Sequence, residues 1–161
     1  METSRRLPAG YIFVLTAAFP IIDKQQQEEI CQAILQRWEK TSNIESKIIM
    51  LQSLTQGSLL DSHSLGFVNM IADGLDDYTT DGRGDIGSLV RAEALKAARR
   101  AFASILSENG KVGNSGQESL LGQFGSFSTL YGKVLRLSAE KLDRVRIEAQ
   151  QTLAQVCRNR V

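Results

Sequence analysis

The chain reads as all-α, a stack of helical hairpins, on three observations. Apolar residues recur at three- and four-residue spacing over long stretches, most plainly at Ile86, Val90, Ala94, Ala97, Ala98, Ala101, Phe102 and Ile105. Only 2 of the 161 residues are proline and 6% are aromatic, and no run alternates apolar and polar residues as a half-buried strand would. A short helical pattern, Val90-Arg91-x-x-Ala94, returns as Val145-Arg146-x-x-Ala149, with a fainter copy at Ser46-Lys47-x-x-Met50.

An acidic turn followed by Val-Arg-x-x-Ala is the pattern of the inner helix in HEAT-type repeats. Lys47, Arg91 and Arg146 stand 44 and 55 positions apart, against a HEAT or armadillo period of about 40–47 residues. The excess matches a polar insertion, Ser107 to Gln117. The expectation is therefore a HEAT/armadillo-like helical-repeat solenoid, an α-α superhelix of six or seven helices in right-handed hairpins.

Taken in order, Arg5 to Phe19 forms a first helix with Pro8 in its first turn, where a missing N–H costs nothing, and Pro20 ends it. Asp23 with Gln26 starts a second helix that ends near Trp38, with Ile30, Ile34, Leu35 and Trp38 inward. Ser42-Asn43-Ile44-Glu45 is a capping box for a third helix through Ile48, Leu51 and Leu54, which Gly57 stops. A fourth helix follows Asp61 or Ser62, with Leu65, Val68, Ile71, Ala72 and Leu75 on one face. The fifth begins after Asp85. The glycine-rich Ser107–Gln117 stretch is expected to be a flexible loop, because it has too little apolar surface to order itself. Ser115 to Glu118 caps a sixth helix carrying Leu120, Phe124, Phe127, Tyr131 and Leu135. A seventh starts near Glu140, with Leu142, Val145, Ala149, Leu153 and Val156 apolar and Arg146 at the edge.

The chain is organised around Gly74 to Arg100, the joint between the fourth and fifth helices. Arg91 falls inside the apolar arc of the fifth, between Ala98 and Phe102, while Glu93, Lys96, Arg99 and Arg100 lie opposite. An unpaired buried guanidinium is too costly to keep, so it demands a partner. Asp76, Asp77, Asp81 and Asp85 stand just upstream, and Asp85 also suits the N-cap. Asp143 stands in the same relation to Arg146. The acidic run has a second reading, as a solenoid-edge surface attracting a basic partner, with Arg83 and Leu89 as contacts. The structural reading takes precedence because a buried arginine must be paired.

Composition excludes several function classes. With 19 Lys+Arg against 18 Asp+Glu and no basic block, neither nucleic acid nor an anionic membrane is the expected partner. The longest apolar run, Tyr11 to Phe19, is too short to span a membrane and lacks a secretory cleavage pattern. Cys31 and Cys157 border apolar stripes, which suits reduced, buried thiols of an intracellular protein. His63 is the sole histidine, so no metal site or catalytic triad assembles around it, and no CxxC frames a zinc or redox site. No catalytic residue, cofactor or metal ligand is expected. Arg83-Gly84-Asp85 matches the integrin tripeptide, but turn formation and capping account for it, and the turn lacks the Gly-Lys-Ser/Thr ending of a phosphate loop.

The run Asp76-Asp77-Tyr78-Thr79-Thr80-Asp81-Gly82-Arg83-Gly84-Asp85-Ile86-Gly87, continued by Leu89-Val90-Arg91, resembles the C-terminal region of the tubulin-folding cofactor D family. Leu7-Pro8-Ala9-Gly10-Tyr11-Ile12-Phe13 looks like the opening of that region, and Glu140-Lys141-Leu142-Asp143-Arg144-Val145-Arg146 like a later helix start. Between Leu106 and Ser138 no family wording stands out. The resemblance implies a non-enzymatic chaperone segment of the cytoplasm and microtubule cytoskeleton. Its implied partners are β-tubulin, tubulin cofactors C and E and an ADP-ribosylation-factor-like small GTPase, with GTP hydrolysis taking place on tubulin. Family members are much longer, so residues 1–161 are expected to be one unit of a longer solenoid, whose raw repeat ends tend to self-associate. The alternative is a HEAT-repeat interaction scaffold unrelated to tubulin.

Overall fold

A computed structural model describes residues 14, 16–109 and 117–158 and, at 108, 109 and 117–124, the backbone alone. Among the described residues seven α-helices pack against one another: α1 (Lys24–Lys40), α2 (Ile44–Gln56), α3 (Leu59–His63), α4 (Val68–Leu75), α5 (Gly87–Asn109), α6 (Gln117–Leu137) and α7 (Asp143–Arg158). The fold is all-α and helical-repeat in kind. Two-residue strands β1 (Thr80–Asp81) and β2 (Gly84–Asp85) pair antiparallel, Thr80 opposite Asp85 and Asp81 opposite Gly84.

The helices form two layers, and side-chain bonds fix their directions. In the inner layer Lys47, near the start of α2, and Arg91, near the start of α5, both reach Asp77, while Arg100 further along α5 donates to Thr55 O at the end of α2. These two helices are therefore parallel. Helix α7 continues the layer in the same direction: Thr152 Oγ1 donates to Leu95 O at 3.4 Å, and Ala103 and Gln155 line one groove. In the outer layer Trp38 Nε1, near the end of α1, donates to Asp73 Oδ2 at 2.8 Å near the end of α4. Lys133 and Arg136, near the end of α6, hold Asp76 just past α4. Each outer helix thus runs antiparallel to its inner partner, and Lys47, Arg91 and Arg146 occupy equivalent first-turn positions.

Local chemistry starts and stops these elements. Asp23 caps α1 through Gln26 N at 2.9 Å, and Asn43 caps α2 through Ser46 N at 2.8 Å. The cap of α2 is thus one residue later than the Ser42-to-Glu45 box suggests. Helix α5 sits at the centre of the stack. Val90, Ala94, Leu95, Ala97, Ala98 and Ala101 have no exposed surface, because α2, α4 and α7 cover three sides. Alanine lets those helices approach closely, and large side chains fill the gaps around them: Phe67 and Leu51 on one flank, Leu130 and Val134 on another.

Several expectations need correction. The fourth helix is not continuous: α3 gives way to a 3-10 turn over Ser64–Phe67 before α4, and Leu65 is 36% exposed. Ser64 and Gly66 are weak helix formers, and the break lets Leu59, Leu60 and Phe67 all bury fully. On α6 Leu130, Val134 and Leu137 are buried and Leu135 is 51% exposed; Leu142, ahead of α7, is 40% exposed. Cys31 is buried but Cys157 is exposed, and both thiols are free. The short β-hairpin has no counterpart in the sequence pattern. Helix α5 runs through Ser107 to Asn109, so the polar insertion starts later; 110–116, like Leu7 to Phe13, lie outside the described residues.

Candidate functional site

The acidic turn between α4 and α5 gathers the functional candidates, and each of its aspartates meets a cation or a backbone amide of the chain. Arg91 has no exposed surface. Its Nη2 donates to Asp85 Oδ2 at 2.7 Å and its Nη1 to Asp77 O at 2.6 Å, while its guanidinium lies 4.1 Å from the ring centroid of Tyr78. Only its Nε is without a hydrogen-bond partner. Asp85 also caps α5, because its Oδ1 accepts from Ser88 N at 3.0 Å.

The neighbouring aspartates point to other repeats. Asp77 Oδ2 accepts from Lys47 Nζ at 2.8 Å, and Asp77 Oδ1 from Thr79 N at 3.1 Å. Burial pushes this carboxyl up, but the Lys47 and Thr79 hydrogen bonds outweigh it and hold it below the usual carboxylate range. Asp76 takes Lys133 and Arg136 of α6; burial again pushes it up, and the two cations bring it below its ordinary value. Tyr78 Oη donates to Glu140 at 3.2 Å, ahead of α7. Burial raises the phenol, with Arg136 working the other way and Glu140 with the burial. A single loop thereby ties together α2, α5, α6 and the α6–α7 loop.

Arg146 repeats part of this arrangement. It pairs with Asp143 and donates to Glu140 O and Lys141 O at 3.2 and 3.3 Å. Its loop is held by carbonyls, as Arg91 holds Asp77 O, but Arg146 is only half-buried.

The hairpin tip is different in kind. Asp81 accepts from Arg83 N at 2.8 Å and from its side chain at 2.8 and 3.0 Å, and those bonds pull the carboxyl below its usual range. The Arg83 side chain is 83% exposed, and Leu89 is 40% exposed one turn into α5. Gly84 has φ 110°, a conformation side chains rarely adopt. Gly87 is required by contact: a Cβ there would lie 2.4 Å from Asp77 O and 2.7 Å from Thr79 N.

Sequence reasoning missed Tyr78, Lys47, Lys133, Arg136 and Glu140 as members of this cluster. Only Tyr78 carried a local signal, as an aromatic inside an acidic turn; the others are 30 to 62 positions from their partners. Arg99, expected on the charged side, instead reaches Glu148, Gln151 and Thr152 of α7. His63 is half-buried, edge-on to Phe19 at 5.3 Å. Burial, with Glu28 nearby, pushes the Cys31 thiol up to about 11, which keeps it protonated and unreactive. Among the described residues no group of three or more His, Cys, Asp or Glu could hold a metal ion, and no helix is long and apolar enough to cross a membrane.

Residues 128–161 match the family described as tubulin folding cofactor D C terminal. No curated protein and no solved structure matches the chain. The tubulin folding cofactor D match takes in Lys133, Arg136, Glu140 and Arg146, so it includes the partners of the acidic turn on α6 and in the α6–α7 loop. It begins upstream of Glu140, inside the stretch where the sequence showed no family wording, and it leaves Asp76 to Arg91 outside.

Proposed function

We propose that the chain is a non-enzymatic segment of a tubulin-folding cofactor, a helical-repeat chaperone piece that helps capture β-tubulin and assemble or dismantle the αβ-tubulin heterodimer. The family match over 128–161 carries this reading, supported by the Asp76 and Tyr78 bonds that join α6 and the α6–α7 loop to the acidic turn. It acts in the cytoplasm at the microtubule cytoskeleton. Tubulin cofactors C and E and an ADP-ribosylation-factor-like small GTPase join it, and any activation of GTP hydrolysis belongs to that assembly.

The role is holding rather than chemistry. Paired aspartates and arginines keep the turn rigid, so Arg83 and Leu89 are presented to a partner at little entropic cost. The test is binding of purified tubulin to the immobilised chain. Arg83→Glu with Leu89→Asp should weaken capture at least about tenfold with an unchanged circular dichroism spectrum, the effect of losing an interface anchor. A folded chain that leaves tubulin unbound would overturn the reading and favour a helical scaffold for another protein.

A further inference from the structure

We propose that the surface shared by the three inner helices is a groove for an extended acidic segment of a partner protein, with cations at its centre and side-chain amides on both flanks. The repeat register identifies the residues. Shifting α5 back by 44 positions carries Lys96 onto Gln52 and Arg100 onto Gln56 of α2. Shifting it forward by 55 carries the same two residues onto Gln151 and Gln155 of α7. The inner layer therefore presents two rows one helical turn apart, each in the order glutamine, cation, glutamine. Gln56, Lys96 and Gln151 are exposed, and Gln52, Arg100 and Gln155 are half-buried. At the centre of the rows lies a groove of about 510 Å³ lined by Thr55, Lys96, Arg99, Arg100, Ala103 and Gln155. All three inner helices contribute to that lining, and no outer helix does.

Charge and spacing say what fits there. Lys96, Arg99 and Arg100 are paired with Glu93, Glu148 and Asp61, but none of those carboxylates lines the groove, so the only charges an incoming chain meets are positive. Donors remain for it. Lys96 Nζ spends one of its three on Glu93, and Arg99 turns Nε and Nη2 towards α7, which leaves Nη1. Carboxylates are the groups such donors bind best. Packed helices lie about 8–10 Å apart and an extended chain advances about 3.3 Å per residue, so successive members of a row meet every third residue of the segment. A glutamine amide offers both a donor and an acceptor, which suits the backbone of an extended chain whatever its sequence. The flanking amides thus hold the backbone, and the central cations select acidic side chains. The lining has no aromatic ring on which a base could stack, which favours a peptide over single-stranded nucleic acid.

The test is fluorescence anisotropy of the full chain with a labelled peptide of about eight alternating glutamate and serine residues, long enough to cross three helices. Binding should saturate at low salt and weaken as salt is raised, and the same peptide with glutamine for glutamate should bind at least about tenfold more weakly. Lys96→Glu should raise the dissociation constant of the acidic peptide about tenfold with an unchanged circular dichroism spectrum, since its side chain is exposed. Gln52→Ala with Gln151→Ala should weaken binding of the acidic peptide without altering its dependence on salt, because amides hold the backbone and carry no charge. No saturable binding of the acidic peptide, or a Lys96→Glu variant that binds it as the parent does, would overturn the groove. A double glutamine variant that binds unchanged would overturn the amide rows, and an oligouridylate bound as tightly as the peptide would assign the cations to nucleic acid instead.

Discussion

Arg91 sets the energetics of the turn because it holds a full charge with no exposed surface. Its value to the fold is asymmetric: the pair with Asp85 balances two desolvation costs, but deleting one partner strands the other. Arg91→Ala should therefore lower stability by about 3–5 kcal/mol, measured by chemical or thermal melting. Arg99→Ala is the wrong control, since Arg99 ties α5 to Glu148. Lys96, 44% exposed and paired only with Glu93, is the right one, and Lys96→Ala should change stability by less than about 0.5 kcal/mol. Equal melts for the two variants would put Arg91 outside the core. That Arg91 needs a partner was legible from its place among Val90, Ala94, Ala98 and Phe102. Which aspartate serves was not, because four lie within reach in sequence and only the folded loop selects Asp85.

At the scale of elements, the turn depends on glycines that the sequence displays without explaining. Gly87 leaves room for the backbone of Asp77 to Thr79 to lie against the start of α5, where Gly87 N donates to Thr79 O at 2.8 Å. Gly87→Ala would force backbone rather than a flexible side chain to move, so it should destabilise by about 1–3 kcal/mol. Gly82 has open space around it and no left-handed backbone, and Gly82→Ala should melt close to the parent. Loss of the same stability in both would mean that hairpin flexibility, not the contact at Asp77, is what Gly87 supplies. The caps at Asp23 and Asp85 could be read from sequence because capping is a local interaction. The break between α3 and α4 could not, since it arises from burying Leu59, Leu60 and Phe67 together.

For the whole molecule, the ties between repeats are carboxylates, and this fixes the direction of pH dependence. Asp76 and Asp77 both lie below their ordinary value of 3.8 in the folded chain. The unfolded chain therefore binds protons first as pH falls, so the stabilisation is complete above the unfolded value and disappears as pH drops through the folded ones. Melting temperature should be level above about pH 5 and fall below it, and Asp77→Asn should flatten that fall more than Asp76→Asn. The Asp77 side chain is 2% exposed and that of Asp76 39%, so solvent screens the latter more. A fall of equal steepness in both variants would assign acid sensitivity to other carboxylates. The sequence by itself determined the helical class, the positions of Lys47, Arg91 and Arg146, and the acidic turn as the joint, because periodicity and spacing act along the chain. Only the tertiary structure decided that Asp76 binds α6 and that Asp77 binds Lys47 of the preceding repeat. Those contacts join residues 30 or more positions apart, and only packing brings them together.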